Sequence, residues 1–225
     1  MRGPSRGSGT RSNLYSTSKF TNWTPHDPYW SELKALPRRM RPAAFVEHDG
    51  EDSVAIYERS LAEGFVRPWS VEDVVSVLTE VPSRFLSGLT GVYLLGGTEG
   101  QRRLNGPTFG MYNNGGIYLC SLPVRHLSQT WEQPPKPSVR HQYTRFGAVF
   151  TPSARGRETM TFDLPSLRQF ELYDVLLHEL GHHVDTSHRG KRAEKYALWF
   201  ADFQHARLRD REAQPDSPDA GASGR

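Results

Sequence analysis

Two histidines one helical turn apart, with a glutamate beside the first, are the residues of this chain best suited to chemistry. They stand in the stretch His178-Glu179-Leu180-Gly181-His182, an HExxH motif. On an α-helix of about 3.6 residues per turn, His178 and His182 share a face. Two imidazoles so placed reach one Zn²⁺, and Glu179 flanks them where it can take a proton from an attacking water. The spacing therefore points to zinc-dependent hydrolysis, with a peptide or protein as the expected substrate. The surroundings read as a helix. Tyr173, Leu176, Leu177, Leu180 and Val184 recur at helical spacing, and their stripe is centred nearly opposite the two histidines. The helix is expected to bury that stripe and turn the histidines the other way.

A catalytic zinc usually takes three protein ligands and keeps one position open. Two downstream residues compete for the third place. Glu194 opens a second helical segment whose apolar residues are Ala193, Tyr196, Ala197, Phe200 and Phe203, and Gly190 supplies the reversal between the helices. Glu194 lies beside that stripe, so its carboxylate emerges at the rim of the core. His188 is the alternative third ligand. Asp174, one turn before His178, and Asp185, two turns after it, are candidates for orienting a ligand imidazole through its other nitrogen. A role as ordinary surface acids is the competing reading for both.

An HExxH helix, a turn and a glutamate on the next helix resemble the gluzincin class of zincin metallopeptidases. Ala197 and Ala201 are similar to the small residues that follow the ligand glutamate in many of them. The resemblance covers about Phe146 to Arg209 and is specific only at His178, Glu179, His182 and Glu194. The wording Leu-Leu-His-Glu-Leu-Gly-His-His also resembles that of uncharacterised bacterial proteins. The His178-to-His188 spacing is similar instead to that of metzincins and of some proteases acting on DNA–protein crosslinks. The chain departs from the metzincin pattern: Asp185 stands where their bend glycine would be, and no methionine follows Met160. Glu194 is therefore the preferred ligand. The resemblance implies a zincin-like fold, Zn²⁺ as cofactor and Glu179 as general base.

Composition sets the frame. The chain has 225 residues, 36% of them apolar, and a formal net charge of +3. No apolar run is long enough for a transmembrane helix, and none near the N-terminus suits a signal peptide. The single cysteine, Cys120, excludes an intramolecular disulfide and reads as a small core or sheet residue. Together these give the expectation of a cytoplasmic protein with no membrane partner. Arg2, Arg6, Arg11 and Lys19 precede the first acid, Asp27. This tail, rich in Gly and Ser, reads first as a solvated disordered arm without a specific role, with weak contact to nucleic acid or an acidic partner as the alternative its charge allows.

The expected layout is a disordered tail over 1–24, one domain over 25–210 and a second disordered tail over 211–225. Ser70 is placed to cap a helix that stops before Pro82. Gly91 to Leu95 reads as a strand. Thr108 to Tyr112 and Gly116 to Ser121 form a hairpin around Asn113-Asn114-Gly115, and Phe146 to Thr151 and Glu158 to Phe162 form another. Helices follow from Pro165, with a break before Phe170, and over about Arg192 to Arg209. A short helix is expected within Pro25 to Pro42. The fold class is thus α+β: a mostly antiparallel, twisted sheet, the HExxH helix, and a following helix carrying the third ligand. Substrate would add to a sheet edge, either Gly116–Ser121 or Phe146–Thr151. Two rival functions share this frame: a zincin-fold binding or regulatory module that holds zinc without hydrolysis, and a nucleic-acid-associated protease with His188 as ligand.

Overall fold

The computed structural model describes residues 40–47, 53–103 and 106–213. The expectations for the N-terminal tail, and for the helix before Pro42, fall outside these residues. The fold mixes helices with a central five-stranded sheet. Its strands are β1 (Pro42–Val46), β2 (Val54–Glu58), β4 (Gly91–Leu95), β5 (Gly110–Asn113) and β6 (Gly116–Cys120), in the order β1-β2-β4-β6-β5. Two short strands, β3 (Phe65–Val66) and β7 (Leu122–Pro123), pair with each other. A separate three-stranded sheet is built from β8 (Ser128–Trp131), β10 (Glu158–Thr161) and β9 (Val149–Pro152).

The expected antiparallel pairing holds at the periphery but not at the centre. β2–β4 and β4–β6 are parallel, whereas β1–β2 and β5–β6 are antiparallel. The reason lies in the connections. Helix α1 (Val71–Thr79) sits between β2 and β4, and a parallel return needs such a crossover. The β5–β6 hairpin then brings β6 alongside β4 in the same direction. Its turn uses Asn114 at φ 50° and Gly115 at φ 80°, the left-handed pair that an Asn-Gly turn supplies. β5 is consequently an edge of the main sheet. Gly116–Ser121, expected as an edge, is internal, and Phe146–Thr151 contributes β9 to the smaller sheet.

Alternation sorts the main sheet into two faces. Val54, Ile56, Val92, Leu94, Ile117 and Leu119 point into the large core with the helices. The other face carries a stacked row of Tyr57, Tyr93 and Tyr118, with centroids 4.8 Å apart in each pair. Cys120 is buried on that face beside Leu95 and Met111, as a small sheet residue should be.

Local signals fix α1 firmly. The Ser70 hydroxyl accepts from the Asp73 N–H, and the Asp73 carboxylate accepts from the Ser70 N–H. This capping box satisfies two donors that a helix start would otherwise orphan. Asp73 also accepts from the Arg168 guanidinium, which holds its carboxyl below the usual range and ties α1 to the long C-terminal helical run. That run starts as α4 (Leu164–Phe170), numbered after the short helices α2 (Glu99–Arg102) and α3 (Pro137–Thr144). It widens into a π-helix over Glu171–Leu176 and resumes as α5 (Leu177–Val184). The expected break before Phe170 is thus a π turn just after it.

The π turn changes which residues face inward. Glu171, Leu172, Asp174, Val175 and Leu176 are all buried. Tyr173 and Val184 are only partly so, and His178 and Glu179 are themselves buried. The single stripe expected from α periodicity is replaced by a helix covered on both sides. β5 and β6 lie on one side, and α6 (Lys191–Ala213) lies on the other.

Glu171 is fully buried and accepts the Trp69 indole N–H at 2.5 Å. Burial drives its carboxyl pKa well above the ordinary value, against the opposing pull of Trp69. A raised folded-state pKa means that stability is greatest below the unfolded pKa and declines as pH rises toward the folded one. Glu171→Gln keeps the acceptor for Trp69 and removes that decline. The variant should match wild type near pH 5 and melt higher at pH 8, by about 3 °C per roughly 1 kcal/mol gained. Thermal melts at the two pH values check this, and a lower melting temperature at pH 8 would contradict it.

The C-terminal helix runs past its expected end. α6 continues through Ala213, and Arg211 pairs with Glu80 at 2.6 Å. Its buried side is Ala197, Phe200, Ala201, Gln204 and Leu208. Phe203, expected within the apolar stripe, is half exposed.

Candidate metal centre

α5 and α6 meet at a close backbone approach. A Cβ on Gly181 would lie 2.8 Å from Ala197 Cα and 3.2 Å from Ala197 O. Only glycine at 181 and a small residue at 197 let the helices come this near. The turn between them is organised by Asp185. Its Oδ1 accepts from the Ser187 N–H and the His188 N–H, and pairs with His188 Nδ1 at 2.9 Å. Gly190, at φ 57°, completes the reversal.

This packing delivers Glu194 to the histidines. His178 Nε2 and His182 Nε2 are 3.1 Å apart, Glu194 Oε2 is 3.6 Å from His178, and Glu194 Oε1 is 3.8 Å from His182. Donors bound to one tetrahedral zinc at 2.0–2.1 Å sit roughly 3.3 Å from each other. The observed triangle is close to that spacing, and its two imidazoles and one carboxylate are a donor set that zinc accepts. His178, His182 and Glu194 are the metal-capable cluster found among the described residues.

His188 is placed elsewhere. It is tied to Asp185 and stacks on Tyr196 with centroids 5.9 Å apart. The sequence alternative for the third ligand is not brought into the cluster. His183 also turns away from it. Its two ring nitrogens meet the Tyr112 hydroxyl at 3.2 Å and the Ser87 carbonyl at 3.0 Å, so it clamps α5 to β5 and to the loop before β4. His205, on α6, stacks with Phe146 and Tyr173 away from the triad.

The electrostatics set the three groups apart. Burial acts to lower the His178 pKa, but Glu194, Glu179 and Asp174 together outweigh it and hold it above the ordinary value. His182 is pushed down to about 4 by burial and by its neighbour His178. Glu179 is pushed up to about 7, chiefly by burial and against the attraction of His178. Its Oε2 is buried without a hydrogen-bond partner among the described residues. A carboxylate with a basicity near neutrality and an unused lone pair is what proton transfer at pH 7 asks for.

The two acids expected to orient ligands part company. Asp174 is fully buried and accepts from Arg145 at 2.5 Å and from Gln142 at 3.1 Å. It favours the charged form of His178. Asp185 has its Oδ1 taken up by the turn and reaches His182 only through its charge. Sequence reading missed Arg145 and Gln142, which come from α3 and the residue after it and hold Asp174 in place. No local pattern marks them, because their partner lies about thirty residues downstream.

It also missed how β5 meets the helix. A Cβ on Gly110 would lie 2.7 Å from Val175 Cγ1 and 3.4 Å from Glu179 Cγ. Gly110 lets the edge strand lie directly against the residue next to the metal triad. The Tyr112 backbone N–H interacts with the Glu179 carboxylate from that strand. An edge strand beside the triad offers unpaired backbone groups to an extended chain.

No family model matches the sequence, and no curated protein or solved structure matches it significantly. Among the described residues no helix is long and apolar enough to cross a membrane.

Proposed function

We propose that this chain is a zinc-dependent metallopeptidase of gluzincin type, with a zincin-like fold. The observation that carries the reading is the convergence of His178, His182 and Glu194 within 4.8 Å of one another, beside a buried Glu179 carboxylate with an unpartnered oxygen. Zinc in that triangle would supply a Lewis acid that acidifies water and polarises a peptide carbonyl. Glu179 then accepts the proton of the attacking water and passes it to the leaving amine. The β5 edge, held against Glu179 through Gly110, is the surface on which an extended substrate would lie. The burial of a base with one unpaired oxygen beside the ligands weighs against a binding module without hydrolysis, which would gain nothing from leaving that oxygen unsatisfied.

Elemental analysis tests the ligand set. Wild type and His188→Ala should each hold one zinc per chain after dialysis. Glu194→Ala should lose affinity by more than the roughly 10–100-fold typical of outer-shell changes. Zinc retained in Glu194→Ala and lost in His188→Ala would replace this set with a three-histidine site.

A further inference from the structure

Beside Arg145, the partner of Asp174, lies an open cleft of about 710 Å³ that shares no lining residue with the triad. It is bounded by the start of α4, the residues after α3 and the C-terminal half of α6. Its polar lining is Arg145, Ser166, Arg168, Gln169, His205 and Arg209, and no acidic side chain lines it. The volume falls within the range of pockets that take small molecules. Two of the lining guanidiniums, Arg145 and Arg168, are paired with acids outside the lining, so Arg209 brings the unpaired charge and the other two bring spare N–H donors, a combination suited to a phosphate.

The three arginines are held differently. Arg145 gives one nitrogen to Asp174 and another to Asp202. Arg168 gives two to Asp73. Both side chains are thereby fixed in direction, and each fork has further N–H donors beyond those used. Arg209 is exposed, and no acid pairs with it among the described residues. His205, stacked between Phe146 and Tyr173 at 5.2 Å from each, forms a firm wall rather than a mobile side chain. The positive field is felt there: after burial, Arg145 and Arg209 are the main causes that hold the His205 pKa down.

We propose that this cleft binds a phosphate-bearing small molecule, with Arg209 as the guanidinium free to close on the phosphate and Arg145 and Arg168 as fixed donors. The site is separate from the metal triad and does not depend on the proposed hydrolysis.

Calorimetric titration of the full chain with ADP and with inorganic pyrophosphate tests the proposal. Both should bind wild type with micromolar affinity. Arg209→Glu should weaken binding at least tenfold while leaving the melting temperature without ligand unchanged. Arg41→Glu, which makes the same charge change on an exposed residue beside β1, should bind as wild type does. His182→Ala should also bind as wild type, which separates this cleft from phosphate coordination at the triad. The proposal is overturned if wild type binds neither probe below millimolar concentration, or if Arg209→Glu binds undiminished. It is equally overturned if Arg41→Glu weakens binding as much as Arg209→Glu does, or if His182→Ala abolishes it. Binding of single-stranded DNA without either small anion would assign the basic surface to nucleic acid instead.

Discussion

Glu179→Gln is expected to keep one zinc per chain and an unchanged fold while losing peptide hydrolysis by about 10²–10⁴-fold, the usual contribution of a positioned general base. The amide has nearly the same shape, so the packing against Gly110 and α6 should survive. What disappears is the basicity that burial has raised to about 7. The loss should therefore fall on kcat rather than on KM or on the melting temperature. Quenched peptide libraries with zinc quantified in the same sample would check it. A variant that cuts an authentic substrate at the wild-type rate would remove Glu179 from the role of base.

Gly181→Val should cost zinc and stability together. Any Cβ at 181 collides with the Ala197 backbone, not with the end of a flexible side chain. α6 must then shift outward, and Glu194 rides on its first turn. Overpacking of this kind costs about 1–3 kcal/mol, and a displaced carboxylate should lower zinc affinity at least tenfold. Ala197→Gly in the same chain should relieve little, because Ala197 Cα and O are also within reach of the added atoms. A Gly181→Val protein with wild-type zinc affinity would show that α6 reaches the histidines without this close approach.

The parts of the site that were legible in the sequence are those governed by neighbours in the chain. The one-turn spacing of His178 and His182, the reversal at Gly190 and the placement of Glu194 after it all act within about twenty residues. The Ser70 cap and the Asn114-Gly115 turn are local in the same way. What escaped depends on distant segments. The parallel pairing of β2, β4 and β6 follows from where crossovers fall, not from alternation within a strand. The edge position of β5 requires knowing the whole strand order. The burial of His178 and Glu179 comes from α6 and β5 packing over them, so a stripe centred opposite the histidines described only part of what is buried. Asp174 was singled out from its one-turn spacing to His178, yet Arg145 and Gln142, which fix it, carry no helical or strand period relative to it. Val54–Glu58 is a different case: its short apolar run between polar segments is a readable strand signal.

The π turn at Glu171–Leu176 has a consequence for changes in chain length. A π turn holds one residue more than α geometry requires. Deleting one residue there would let the whole run from Leu164 to Val184 close into continuous α-helix with better backbone hydrogen bonds. The widened turn absorbs its extra residue, so the helix on either side would keep its register and Arg168 its direction toward Asp73. A one-residue deletion in the regular α segments would instead turn everything before it by about 100° relative to the histidines. What a deletion within Glu171–Leu176 removes is the wide turn itself, and with it the inward placing of Glu171 beside Trp69 and of Asp174 beside Arg145. The segment is therefore where losing a residue disturbs the backbone least and the buried carboxylates most.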